Sequence, residues 1–139
     1  VERTLWEKQV KAVDTNVVLR FVLRDDERQF AKAAAFFNSR TAEDPAFVSL
    51  IVLAELVWAL RQRYGYSRAE TRSLVVTLFE TAELVFEDES ALSSIIAEAE
   101  RGDLADHLIS YSARRAGCTS TVTFDHGAAK VVPEMELLA

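Results

Sequence analysis

The chain has 139 residues, half of them hydrophobic, with one cysteine and a formal net charge of −6 at neutral pH. That length can bury a core without disulfide or metal staples and leaves little room for a second domain. The lone Cys118 excludes an internal disulfide and agrees with a reducing cytoplasm; its expected place is that of a small, buried or half-buried hydrophobe.

No stretch reaches the roughly 18 apolar residues of a membrane span, and the opening VERTLWEKQVK has no apolar signal core. The expectation is a soluble, unexported, cytoplasmic protein with no membrane partner. An acidic total disfavours gripping nucleic acid by bulk electrostatics. Local basic stripes could still act, namely Arg20, Arg24 and Arg28, or Arg61, Arg63, Arg68 and Arg72, although either group also reads as a solvated helix face.

Residues 1–10 precede the first expected strand and read as an N-terminal extension, with 11–139 as the single folded domain. Lys11–Asp14 is a short buried strand. Thr15–Leu23 is apolar and largely β-branched and could prolong that strand, but the Arg20/Arg24 spacing favours a helix. Asp26–Arg40 is an amphipathic helix with Phe30, Ala33, Ala34 and Phe37 on one face. Pro45 breaks the chain before a strand at Phe47–Ser49.

Ser49 caps a helix that runs to about Tyr64 and stops at Gly65. Ser67 and Glu70 form a capping box that opens a helix to about Thr81. Leu84–Phe86 is a third strand, and acids at Glu87–Glu89 suit the start of a helix ended by Gly102. Asp103 to about Ala116 is another helix, closed by Gly117. Thr119–Thr123 is a fourth strand and Glu136–Leu138 the candidate fifth. Trp58 and Phe79 fall at core-like helical positions. Short strands alternating with helices give an α/β fold, a three-layer α/β/α sandwich around a mostly parallel sheet of four to five strands.

Four carboxylates interrupt apolar stretches of this pattern. Glu55 is the only charge between Phe47 and Leu60, Asp14 ends the first strand, Asp125 follows the strand-like TVTF, and Asp106 sits between Leu104-Ala105 and Leu108-Ile109. Ionised carboxylates are expensive to crowd or desolvate unless a cation accompanies them. In open parallel sheets, sites form beyond the carboxyl ends of the strands, where all four are expected to converge. An all-oxygen set of this kind suits Mg²⁺, and metal-assisted phosphodiester hydrolysis is the chemistry it serves best. Asp14 and Asp125 can also cap the helices that follow them, and the two roles are compatible. No zinc spacing, Gly-rich phosphate loop or nucleophilic triad occurs.

The stretches DTNVVLR from Asp14, VLAEL around Glu55, DLADHLIS around Asp106 and TVTFDHGAAK around Asp125 resemble the PIN-domain family, most closely its VapC-like toxins. The resemblance implies a cytoplasmic endoribonuclease whose Mg²⁺ or Mn²⁺ is held by Asp14, Glu55, Asp106 and Asp125. Asn16 and Thr123 match polar positions that steady such a site, and Asp103 matches an auxiliary acidic one. RNA as substrate, a VapB-like antitoxin and a homodimer are the implied partners. His107 stands where a small residue is commoner, which places a bulky polar group beside a metal ligand. Both histidines otherwise read as surface or internally satisfied groups.

Two other readings fit an acidic pocket at strand ends. Phosphotransfer through an aspartyl intermediate would want a second acid two residues after Asp14, or paired acids at the first strand's end with a Lys-Pro step near the last; Asn16 occupies the former position and the latter features are missing. A non-catalytic module whose acids neutralise a basic peptide is the third.

Overall fold

The structure, a computed structural model, describes residues 10–138. The expected extension therefore lies outside the described residues, apart from Val10. In chain order the elements are β1 (Lys11–Ala12), α1 (Thr15–Leu23), α2 (Glu27–Asn38), β2 (Ala46–Val48), α3 (Leu50–Gln62), α4 (Arg68–Phe79), β3 (Leu84–Phe86), α5 (Glu89–Glu98), α6 (Leu104–Arg115), β4 (Thr121–Thr123), α7 (His126–Val131) and β5 (Met135–Leu137). The fold class is α/β, and every strand pair is parallel.

Two compact units divide the chain, one running up to Leu56 and including Thr77–Glu87, the other made of Val57–Val76 and everything from Asp88. In the first, β1, β2 and β3 form a sheet in that order, with Lys11 opposite Ala46 and Ala46 opposite Leu84. In the second, β4 pairs with β5 from Thr121 opposite Met135 to Thr123 opposite Leu137. The expected single sheet is thus recorded as a sheet of three strands and a sheet of two. Strands of two or three residues carry few ladder hydrogen bonds, and β1 is exposed at both of its positions.

Local chemistry explains the helices. Thr15–Leu23 becomes a helix because the Asp14 carboxylate accepts from the Thr15 N–H at 2.7 Å, and it ends at Arg24 in the left-handed region (φ 51°). α2 is capped by Asp26, which accepts from the Gln29 N–H at 3.0 Å. Its apolar face meets α1 through aromatic contacts, Phe21 lying 5.7 Å from Phe30 and 4.9 Å from Phe37 between ring centroids. Ser49 caps α3 through the Val52 N–H, and Ser67 and Glu70 close a reciprocal box at the start of α4. Hydrogen bonding from Ser67 to the Glu70 carboxyl, through the backbone N–H first and the side chain second, holds that carboxyl below its ordinary value. α7, anticipated only as the helix that Asp125 would cap, spans six residues.

Helical periodicity sets what α3 hides. Leu53, Leu56, Val57 and Leu60 are buried, whereas Ile51, Glu55 and Trp58 fall on the opposite face. Trp58 is 57% exposed and is therefore not the packing residue expected; Phe79 does pack, 5.5 Å from Phe86. Cys118 is also exposed, contrary to expectation, because it follows Gly117 in the turn that leaves α6.

In the second unit the core gathers Leu92, Ile95 and Ile96 of α5, Leu104 and Leu108 of α6, and a small cluster of Ala128, Val132 and Met135. The Ser110 hydroxyl, buried on α6, donates to the Pro133 carbonyl at 2.6 Å and ties that helix to the approach of β5. Replacing the fully buried Leu92 by Ala should cost roughly 2–5 kcal/mol, a transfer term plus a cavity term, read as a fall in the denaturation midpoint.

Candidate active site

The sequence-predicted acids fall into two groups, each within one unit. In the first unit, Asp14 is exposed at the N-cap of α1, and Glu55 is exposed on α3. Between them in chemistry stands Thr15, which is buried; its hydroxyl donates to Glu55 Oε2 at 3.2 Å, while its backbone N–H donates to Asp14 Oδ1. One residue thus orients both carboxylates. Sequence reading chose Asn16 for the steadying role and passed over Thr15. The available signal was a hydroxyl immediately after a strand-end aspartate. Asn16 is exposed and, with Asp14, lines a cavity of about 570 Å³ that also includes Val17, Lys32 and Phe36.

In the second unit, the charges of Asp103 and Asp125 both act on Asp106. Asp103 is the N-cap of α6, its Oδ1 accepting from the Ala105 N–H at 3.0 Å and its Oδ2 from Arg61 Nε at 3.2 Å. Asp125 caps α7 through the Ala128 N–H at 3.0 Å, and the Asp125 N–H donates to the Thr123 hydroxyl at 3.0 Å. Thr123 therefore does hold the loop that presents Asp125. Asp106, half-buried in the first turn of α6, feels the others. Burial raises its carboxyl above the ordinary aspartate value, the Asp103 and Asp125 charges add to the rise, and Arg68 and His107 oppose it.

The caps have a geometric consequence. Asp14 and Asp125 each engage one carboxylate oxygen, Oδ1, with backbone, and the second oxygen makes no hydrogen bond among the described residues. A pinned carboxylate with one open oxygen is well suited to a hard cation.

His107 follows Asp106 and acts on its carboxyl, but its own ring is bonded internally. Its ring is buried, and Nε2 lies 2.6 Å from the Arg101 carbonyl, so that nitrogen carries the proton and donates. Gly102 follows with φ +99°, and a Cβ there would meet Val131 Cγ2 at 2.9 Å and His107 Nε2 at 3.3 Å. Histidine and glycine together fix the turn that delivers Asp103. The alternative basic stripe on the first unit is occupied locally, since Arg20 pairs with Asp25 at 3.0 Å and Arg24 with Glu27 at 3.2 Å. His126 is exposed.

Among the described residues, no three His, Cys, Asp or Glu side chains come close enough together to hold a metal ion. The donor set nonetheless fits one chemically. It is all carboxylate oxygen, with Asp14 and Asp125 pinned by caps, and in the second unit burial first and like charge second raise Asp106, a penalty that a divalent cation would reduce.

With this geometry in hand, comparison with known families is informative. The PIN domain family matches residues 11–132, and the chain belongs to it. Members are generally nucleases, hydrolases of phosphodiester bonds that use divalent metal ions, which suggests a metal-dependent nuclease here. Comparison with curated proteins gives no match. No helix among the described residues is long and apolar enough to cross a membrane.

Two outcomes test the second unit. Since folding raises the Asp106 carboxyl, its ionisation opposes the fold at neutral pH, and that penalty vanishes as pH falls below the ordinary aspartate value. Asp106→Asn should therefore raise the metal-free melting temperature by a few degrees near neutrality, with the gain disappearing in acid. His107→Ala should destabilise by about 1–3 kcal/mol, because the Arg101 carbonyl loses its donor, as read by chemical denaturation.

Proposed function

We propose that this protein is a metal-dependent endoribonuclease and the toxin of a VapBC-type toxin–antitoxin pair. The observation that carries the reading is the half-buried Asp106 carboxyl, raised by burial and by the charges of Asp103 and Asp125, in a chain that belongs to the PIN family. An acid with no catalytic or metal-binding task gains nothing from such company, and carboxylates raised by burial together with charged neighbours are found at functional sites.

The residues that would hold Mg²⁺, or Mn²⁺, are Asp14, Glu55, Asp106 and Asp125. A divalent cation held there would supply Lewis-acid chemistry, activating water for attack and offsetting negative charge on the phosphoryl group. The protein's own residues do the rest. Thr15 holds Glu55 and Asp14 in place, and Glu55 is suited to take the proton of the attacking water. Thr123 and the α7 backbone fix Asp125. Asp103 acts as an auxiliary that is already paired with Arg61. Asn16, exposed beside Asp14, is placed to steady the substrate or a ligand water.

RNA is the substrate in this reading, with a VapB-like antitoxin and a second copy of the chain as protein partners. Exposed apolar side chains such as Ile51, Trp58 and Phe124 are the kind of surface a protein partner covers. The cytoplasm is the proposed compartment. Aspartyl-phosphate transfer is less well supported, because Asp14 has Asn16 where a second acid would be needed.

Purified protein incubated with a panel of RNAs and Mg²⁺ should cut internally, and chelator should abolish the cut. Asp14→Asn should lower the rate by at least about a hundredfold, as loss of an essential electrostatic group does, while leaving the melting curve near that of the parent. Undiminished cleavage by that variant, or cleavage indifferent to chelator, contradicts the proposal. Phosphate label trapped on Asp14 would favour phosphotransfer instead.

A further inference from the structure

Three arginines of the second unit, Arg61, Arg68 and Arg72, differ in what already holds them. Arg61 is engaged twice, through Nε with Asp103 and through a terminal nitrogen with the Tyr66 carbonyl at 2.9 Å. Arg72 is half-buried on α4, its Nε donating to the Ile96 carbonyl at 2.9 Å, which orients the guanidinium. Arg68, the first residue of α4, is exposed and forms no hydrogen bond or ion pair among the described residues. Its charge nevertheless acts on Asp106.

Arg68 and Arg72 are four residues apart on α4 and so share a face. Both line a cavity of about 490 Å³ whose other wall includes Ala99, Glu100 and Gly102. Two arginines and a single acid, Glu100, thus line the same cavity, and Gly102 directly precedes Asp103 in the chain. The cavity thus ends one residue before Asp103 in the chain, and the charge of its Arg68 reaches Asp106.

That arrangement answers a problem set by the chain's charge. A polyanion approaching acidic residues on a protein of net charge −6 is repelled at long range, so its docking depends on cations fixed beside the acids. A guanidinium presents a planar fork of donors that matches phosphate, and an unpaired one has that fork available.

Resting on the nuclease reading above, we propose that Arg68, with Arg72 behind it, binds a backbone phosphate of single-stranded RNA adjacent to the phosphodiester that is cleaved. Arg68 is then a substrate-positioning residue. Neither arginine is asked to transfer a proton.

The test compares wild type, Arg68→Ala, Arg68→Lys and Arg68→Glu on a labelled single-stranded RNA in Mg²⁺ over a range of salt. Arg68→Ala should raise KM roughly threefold to tenfold with kcat nearly unchanged, and should flatten the log KM against log salt slope by about one unit, the signature of one lost phosphate contact. Lysine should restore most of the affinity, glutamate should lose more than alanine, and the melting temperatures should coincide. An unchanged KM and salt slope in the alanine variant overturns the assignment, as does a fall confined to kcat.

Anisotropy binding of the same RNA to Asp14→Asn, with and without Arg68→Ala, separates this idea from its parent. Binding weakened by Arg68→Ala, together with a wild type that does not cut, retains the phosphate cleft and removes the nuclease. Binding that ignores Arg68 in an active nuclease removes the cleft alone, and no RNA binding by either protein removes both.

Discussion

The arrangement depends on a carboxylate, Asp106, that is partly buried at a helix start where two other acids add their like charge. Asp103 and Asp106 share the first turn of α6, and Asp125 opens α7; backbone N–H groups fix the first and the last. A helix N-terminus favours negative charge, which is why acids can be gathered there at all. The favour is smaller than the cost of crowding and burial, and Asp106 shows the deficit as a raised carboxyl. Such a deficit is stable only because the fold supplies compensation elsewhere. Arg61 neutralises part of Asp103, and the buried His107 and Gly102 lock the turn that presents it. A divalent cation would remove the remainder.

The first unit reaches a comparable end by another route. There the acids are exposed, and precision comes from Thr15, whose backbone serves Asp14 and whose hydroxyl serves Glu55. In both units each strand-end aspartate binds backbone with one oxygen and keeps the other open. Capping and ligation are complementary uses of one carboxylate, since the cap removes rotamer freedom that a metal would otherwise have to restrain.

Much of this was legible in the sequence because it is local. The apolar period of Asp26–Arg40, the Ser67–Glu70 box, the Ser49 cap and the strand at Leu84–Phe86 all depend on neighbours a few residues away, and all appear where expected. So do the caps that Asp14 and Asp125 make. What was not legible depends on tertiary placement. Trp58 looked like core because its run is apolar, but the helical period sets it beside Ile51 and Glu55 on the exposed face. His107 looked intrusive until its partner proved to be a main-chain carbonyl six residues back. Thr15 was overlooked because its partner lies forty residues away. The division of the strands into two sheets has no sequence marker, since pairing between strands this short is decided by a handful of hydrogen bonds.

The most direct test is to diffuse Mn²⁺ into crystals of the protein and locate it by anomalous scattering. The account predicts a peak bonded to carboxylate oxygens of Asp106 and Asp125, with the Asp125 cap to Ala128 retained. Manganese-dependent cleavage in solution with no peak at those oxygens, or a peak only at other residues, would contradict the claim that a cation relieves the crowding of these acids.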